Sequence, residues 1–170
     1  MDVLFINGTL IMLADGSQKK IEDVLPTDKL LSFNHNTGMI EEAYGFMIKR
    51  SNYDLSITKV LIMFFEKDNQ ISIVDCHRFF DTILMKYIEI NYNNLSNYIV
   101  HKFLTIKYLD GQFKYEEIAI LNIEFKMEEV YIYSPLIFIN INVITDNLLT
   151  APGGNLEGLF NYFDYDVNYK

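Results

Sequence analysis

The sequence predicts an all-β fold, and two observations carry that prediction. Short runs rich in Ile, Val, Tyr and Phe recur along the 170 residues, and these residue types favour strands. Turn dipeptides such as Asp15-Gly16 and Asp110-Gly111 separate the runs. Regular short strands with turns between them favour a sandwich or barrel over an alternation of strands and helices.

The predicted strands follow one another with polar turns between them. They cover residues 9–14, 29–33, 39–50, 55–65, 71–76, 98–109, 113–125, 130–144 and 148–150. Asp15-Gly16 ends the first strand, and Asp146-Asn147 turns the chain into the last. Helix signals are weak: one turn is expected over 17–24 with Ser17 as its cap, and another over 91–98.

The chain is acidic, half of its residues are hydrophobic, and it contains one cysteine. Acidic residues outnumber basic ones 23 to 14 and the net charge is −9, so we expect no nucleic-acid partner, because phosphate recognition needs clustered Lys and Arg. The single Cys76 excludes an internal disulfide framework and a multi-cysteine zinc site. The apolar runs are too interrupted for a membrane span, and Asp2 stands where a signal peptide would be basic. An intracellular protein is therefore expected.

The residues after 151 differ from the rest of the chain. Pro152-Gly153-Gly154 is a clear break, so the sequence predicts a β domain over 1–151 and an aromatic, acidic tail over 152–170. The tail either lies on its own domain or docks on a protein partner, and the absence of a regular period favours the first. The aromatic residues available to a partner are Phe160, Tyr162, Phe163 and Tyr165.

Two blocks of sequence carry a more specific pattern. The first runs Leu4-Phe5-Ile6-Asn7-Gly8-Thr9, and continues through Ala14-Asp15-Gly16 and Lys20-Ile21-Glu22-Asp23-Val24. The second begins Tyr133-Ser134-Pro135-Leu136 and leads to 141–151. Together they resemble the Hint family, the self-processing domain of inteins, bacterial intein-like proteins and the hedgehog C-terminal domain. The resemblance spans about residues 4–151 and implies a compact, horseshoe-like all-β fold with pseudo-twofold symmetry.

The resemblance also implies catalytic positions, and several of them are apolar here. Hint chemistry begins with an N-terminal thiol that attacks the preceding carbonyl, but the matching residue is Leu4, which has no lone pair. Val74 replaces the Thr of a Thr-x-x-His motif, whereas His77 keeps the histidine that assists proton transfer. Ile48 stands where the hedgehog branch carries the Asp that activates a sterol hydroxyl.

The two ends of the chain also lack groups that self-processing would need. The intein branch ends in His-Asn, whereas Thr150-Ala151-Pro152 offers no Asn to cyclise, and only residues 1–3 precede Leu4. We therefore interpret the protein as a catalytically inactive Hint-like domain that acts as a structural or protein-interaction module. Its Ile, Asn, Tyr, Phe and Lys bias would suit a large DNA virus or a protist, and one form of the hypothesis is a virion protein in an assembly such as a capsid.

The alternative hypothesis is a self-processing or hydrolytic enzyme with a relocated nucleophile, Cys76 or Thr150, assisted by His77. Because neighbouring strand residues point to opposite faces, Cys76 and His77 should not meet. We interpret His77 as a vestigial histidine that is hydrogen-bonded inside the former site. Asp75 shares a face with His77, and the two could bind a metal with His35 or His101 completing the set. Nothing in the spacing supports that set, and two ligands make a weak site, so we expect no metal and no cofactor.

Overall fold

The computed structural model describes residues 4–49, 56–75, 77–138, 140 and 142–151. Within them are fourteen strands, the helix α1 (Leu95–Tyr98), and 3-10 turns at Ile21–Asp23 and Tyr92–Asn94. The strands are β1 (Phe5–Ile6), β2 (Leu10–Met12), β3 (Gln18–Lys20), β4 (Leu30–Asn34), β5 (Met39–Lys49), β6 (Ser56–Phe65), β7 (Gln70–Val74), β8 (His77–Asp81), β9 (Lys86–Ile90), β10 (Lys102–Leu109), β11 (Gln112–Val130), β12 (Ile132–Phe138), β13 (Val143–Thr145) and β14 (Leu148–Thr150). No helix in this part of the chain is long and apolar enough to cross a membrane.

The described strands pair with antiparallel neighbours along one continuous path. Their order is β3-β2-β13-β14-β8-β10-β11-β6-β7-β1-β12-β5-β4, with β9 beside β8. The long strand β11 pairs with β10 through its first half and with β6 through its second half. The prediction of an all-β fold is confirmed.

Two predicted hairpin turns are confirmed by their backbone angles. Asp110 and Gly111 join β10 to β11 with φ angles of +53° and +76°. Asp146 and Asn147 join β13 to β14 with φ angles of +47° and +68°. Two-residue loops with both φ angles positive match the right-handed twist of the flanking strands, which is why Asp, Asn and Gly at these positions identify the turns.

The expected helical turns have opposite outcomes. The turn over 91–98 is confirmed, because the Asn91 side chain accepts hydrogen bonds from the amides of Asn93 and Asn94 and caps the first turn. The turn over 17–24 is wrong in its first half, since β3 occupies 18–20 and the 3-10 turn begins only at Ile21. Ser17 therefore caps no helix, and its hydroxyl donates to Asp15 Oδ1 at 2.5 Å.

Two strand boundaries also differ from the prediction. The single run expected over 130–144 is divided among the end of β11, all of β12 and the start of β13. The hairpin formed by β8 and β9 was not predicted at all. Its turn reaches Met85, whose φ of +55° is unusual for a long side chain, and residues 82–85 contain no Gly, Asn or Pro that would mark the turn in the sequence.

Three clusters of buried apolar side chains position the candidate site. The Phe79 cluster includes Leu61, Ile73, Phe79, Ile88 and Phe103. The Phe5 cluster includes Phe5, Ile11, Ile21, Leu30 and Tyr133. The Val60 cluster consists of Ile6, Val60, Val130 and Ile132. Because β1 and β7 are paired neighbours, these clusters converge around the first residues of β1.

Candidate functional site

His77 occupies the centre of the candidate site. It is the first residue of β8 and its side chain is fully buried. Its ring forms T-shaped contacts with the rings of Phe5, at a centroid distance of 4.4 Å, and Phe79, at 5.2 Å. His77 therefore joins the Phe5 cluster to the Phe79 cluster, and it lies directly against the residue that follows Leu4.

The surroundings of His77 favour a neutral imidazole. Burial, and to a lesser extent the positive charge of Arg78, lowers the pKa of His77 to about 3. Neither ring nitrogen has a hydrogen-bond partner in the described part of the chain. The hydrogen bond expected for a vestigial histidine is thus not formed there, because the imidazole is enclosed by aromatic rings that offer no acceptor.

Leu4 and Val74 come together in one apolar environment. Both are partly buried and both pack against the Val60 cluster. The pairing of β1 with β7, in which Phe5 lies opposite Ile73, explains their proximity. The two positions where the resemblance implies a thiol and a hydroxyl are therefore filled by side chains that contribute only van der Waals and hydrophobic contacts.

Ile48 is not brought to this centre. It pairs with Ser134 of β12, and its side chain is 45% exposed. The neighbouring Met47 is the residue of β5 that turns inward, where it packs against the Phe5 cluster. Successive strand side chains point to opposite faces, so a shift of one position decides which residue of β5 faces the site.

Of the two nucleophiles in the alternative hypothesis, only Thr150 lies within the described residues. Cys76 lies outside the described residues. Thr150 is fully buried and lies opposite Phe79 in the pairing of β14 with β8. Its hydroxyl donates to the carbonyl of Val143 at 3.1 Å and lies 3.0 Å from the hydroxyl of Thr145. The Thr150 hydroxyl thus stabilises the β13–β14 hairpin.

The ligands considered for a metal site are engaged elsewhere. Asp75 accepts a hydrogen bond from the Tyr92 amide at 3.3 Å and pairs with Lys59 at 3.5 Å. His35 Nε2 lies 2.9 Å from the Tyr87 hydroxyl, while His101 is paired with a different carboxylate, that of Asp81. No group of three His, Cys, Asp or Glu side chains in the described ranges could hold a metal ion.

A groove of about 370 Å³ lies along one side of β1. Its wall includes Asp146, whose carboxylate accepts a hydrogen bond from the amide of Leu10 at 3.3 Å. Burial raises the pKa of Asp146 to about 6, and the Leu10 bond opposes that change only in part. The sequence identified Asp146 as a turn residue only. Its burial depends on a strand 136 positions away in the chain, which no local pattern shows.

No protein-family model and no curated protein matches the sequence. Solved structures do match its backbone. A variant of the Ssp DnaB mini-intein superposes with a TM-score of 0.68 at 17% identity, covering 89% of this chain and 96% of that one. The chain has the Hint fold. The DnaX mini-intein from Spirulina platensis gives a TM-score of 0.66 at 17% identity, with coverages of 87% and 98%.

The backbone also superposes on that of an intein-like domain. The bacterial intein-like domain from Clostridium thermocellum superposes with a TM-score of 0.63 at 16% identity, covering 89% of this chain and 99% of that one. The fold expected from the two sequence blocks is therefore confirmed. Function depends on the groups placed in a site and not on the fold that carries them, so the chemistry of this chain has to be argued from its own residues.

Proposed function

We propose that this protein is a catalytically inactive Hint-fold module that serves as a structural or protein-interaction component. The observation that carries the proposal is the apolar packing of Leu4 and Val74 on the Val60 cluster. An acyl shift at this position needs a thiol or hydroxyl at residue 4, and an isobutyl group cannot attack a carbonyl. The first step of self-processing then has no nucleophile.

The state of His77 supports the same proposal. A general base works best when its pKa lies near the working pH, whereas burial and Arg78 hold the pKa of His77 at about 3. The ring also forms T-shaped contacts with Phe5 and Phe79. Such an imidazole is neutral at pH 7 but too weakly basic to take a proton from a nucleophile with useful efficiency.

The test is a precursor in which a small carrier protein is fused ahead of the chain. We expect its intact mass to stay at full length during incubation with a thiol or with hydroxylamine, reagents that cleave a thioester. Cleavage at the junction before Leu4 would overturn the proposal. A hydroxylamine-sensitive adduct on Cys76 or Thr150 that disappears in His77→Ala would instead support the alternative of a relocated nucleophile.

A matched variant makes the negative result informative. The double substitution Leu4→Cys and Val74→Thr returns a thiol and a hydroxyl to the two positions that share the Val60 cluster. If the scaffold still holds the geometry, this variant should release the carrier with thiol while the unmodified chain does not. The triple variant with His77→Ala then shows whether the restored reaction uses the histidine.

The proposed role as an assembly component has a separate test. A structural protein of a viral capsid remains with the particle through density-gradient purification and is present at a fixed ratio to the other shell proteins. Quantitative mass spectrometry of purified particles measures that ratio. A protein that is found only in the infected-cell extract would leave the inactive-module proposal standing and overturn the virion form of it.

A further inference from the structure

An exposed apolar face covers the outer side of β5 and β12. Five large side chains share it, and each is 44–47% exposed: Tyr44, Phe46, Ile48, Leu136 and Phe138. In the pairing of the two strands Phe46 lies opposite Leu136 and Tyr44 lies opposite Phe138, and paired residues of antiparallel strands project from the same face. We call these five residues the β5–β12 face.

The size of the β5–β12 face suggests that it is covered in the native protein. Large apolar side chains bury roughly 200 Å² each, so five of them at half exposure leave roughly 450 Å² of apolar surface. On monomeric proteins a patch of that size is often functional. The rings of Phe46 and Phe138 meet edge to face at 5.8 Å, so the surface is a contiguous aromatic one.

We propose that the C-terminal segment 152–170 of the same chain docks on the β5–β12 face. Nineteen residues follow Ala151, and they include four closely spaced aromatic side chains, Phe160, Tyr162, Phe163 and Tyr165. Aromatic pairs gain about 0.5–1.5 kcal/mol beyond their buried area, so an aromatic segment complements an aromatic sheet face. Because the segment is tethered, its docking is intramolecular and meets a high effective concentration.

The place where the domain ends makes the docking geometrically feasible. The amide of Ala151 donates to the carbonyl of Arg78 at 3.2 Å. The adjacent His77 contacts Phe5, and Phe5 pairs with Tyr133, three residues before Leu136 on β12.

Counted through these neighbours, the separation of Ala151 from Leu136 is at most roughly 30 Å. Phe160 lies nine residues beyond Ala151, and an extended chain of that length spans roughly 30 Å. The aromatic residues after it reach further, so the segment can extend across the β5–β12 face.

Charge favours the tethered segment over a second copy of the chain. Each chain has a net charge of −9, and like net charges oppose face-to-face association. The segment contributes only three acidic residues and one lysine.

The chain has no tryptophan, which allows a direct test in the full-length protein. Phe46→Trp places one fluorophore on the β5–β12 face, and Phe125→Trp places one at a matched position of β11 that is 48% exposed. If the segment covers the face, acrylamide should quench F46W with a constant about threefold lower than F125W, because a covered ring excludes the quencher.

Substitutions within the segment complete the test. With Phe160→Ser, Tyr162→Ser and Phe163→Ser added, the quenching constant of F46W should rise to that of F125W, while that of F125W stays unchanged. Phe138→Trp serves as a second probe on the same face should F46W fold poorly.

Three results would overturn the proposal. Equal quenching of F46W and F125W in the unmodified chain would show an uncovered face. Low quenching of F46W that survives the segment substitutions would show that something else covers it. Low quenching that rises on dilution, together with a dimer in analytical ultracentrifugation, would identify a second copy as the occupant.

Discussion

Two histidine sites in this molecule, at His101 and at His77, differ in how their polar atoms are hydrogen-bonded. His101 Nδ1 is hydrogen-bonded to the carboxylate of Asp81, and that fully buried carboxylate also accepts hydrogen bonds from the amides of Ile83 and Leu84. His77 is fully buried, more so than His101, yet its two ring nitrogens have no partner in the described residues. A buried polar group without a partner carries an unfavourable desolvation free energy.

The difference separates a site that stabilises the fold from one that does not. Asp81 links the end of β8 to the start of β10, and it holds the turn that sequence patterns did not reveal. Within the described ranges His77 contributes ring contacts only, and an aliphatic residue of similar volume could replace them. This contrast supports the proposal that His77 belongs to a former reaction centre.

The largest change in the free energy of unfolding is expected at Asp81, the partner of His101. Asp81→Ala should lower the free energy of unfolding by about 3–5 kcal/mol, because it removes a fully buried carboxylate that accepts three hydrogen bonds, from His101 and from two turn amides. Urea unfolding at pH 7 measures it. Asp81→Asn keeps one acceptor oxygen and should lose less. A loss below about 1 kcal/mol for the alanine variant would contradict the stabilising role assigned to this site.

At acid pH the buried, neutral His77 should lower the free energy of unfolding. Since the pKa of His77 is lowered to about 3 in the folded state, the unfolded chain binds the proton first as the pH falls below about 6.5, and stability is lost. His77→Leu removes this effect. Below about pH 6.5 its advantage over the unmodified chain should grow by about 1.4 kcal/mol per pH unit, so that it is about 3 kcal/mol larger at pH 4 than at pH 7.

Urea unfolding of both proteins at pH 7, 5 and 4 tests this dependence. Asp146 is present in both proteins, so its own titration cancels from the difference. Parallel stability curves over this range would show that His77 is not held neutral by its surroundings.

Two carboxyl groups, the fully buried Asp81 and the partly buried Asp146, extend the comparison. Asp81 has three partners, whereas Asp146 accepts one hydrogen bond from Leu10 and burial raises its pKa to about 6. A raised carboxyl pKa means that the folded state holds its proton more tightly, so stability is lost as the pH rises from about 4 through 6.

Asp146→Asn should therefore raise the free energy of unfolding by about 1–3 kcal/mol at pH 7, and the gain should vanish below pH 4. Asn also tolerates the positive φ of this turn. A variant that is less stable at pH 7 would show that the charged carboxylate makes a compensating interaction.

Local patterns predicted the turns better than the faces of the strands. Asp110-Gly111 and Asp146-Asn147 were identifiable because positive φ angles select few residue types. On β5 the usual alternation is reversed, since Ala43 and Gly45 face inward whereas Tyr44 and Phe46 face outward. An apolar residue at 48 therefore gave no indication that its side chain is exposed, because that depends on the tertiary contacts of β5.

The candidate site was predictable in its residues but not in its interactions. The resemblance to the Hint family implied that Leu4, Val74, His77 and Ile48 share one region. The fold brings the first three there, whereas Ile48 lies on an exposed face. The absence of a hydrogen bond to His77 depends on Phe5 and Phe79 closing around the ring. Packing of this kind arises from pairings between distant segments, which a linear pattern does not record.

The smallest expected changes in the free energy of unfolding are those of His77→Leu and His35→Leu. They test the histidine comparison directly, because their signs differ. At pH 7, His77→Leu should raise the free energy of unfolding by about 1 kcal/mol, since it removes two unsatisfied polar atoms at nearly constant volume. His35→Leu should lower it by about 1 kcal/mol, because the Tyr87 hydroxyl loses a hydrogen-bond partner 2.9 Å away. Both histidines are neutral at this pH, since burial lowers the pKa of His35 to about 4, so charge does not confound the two measurements. Equal losses in the two variants would mean that His77 stabilises the fold as His35 does, and the distinction between a former reaction centre and a structural histidine would fail.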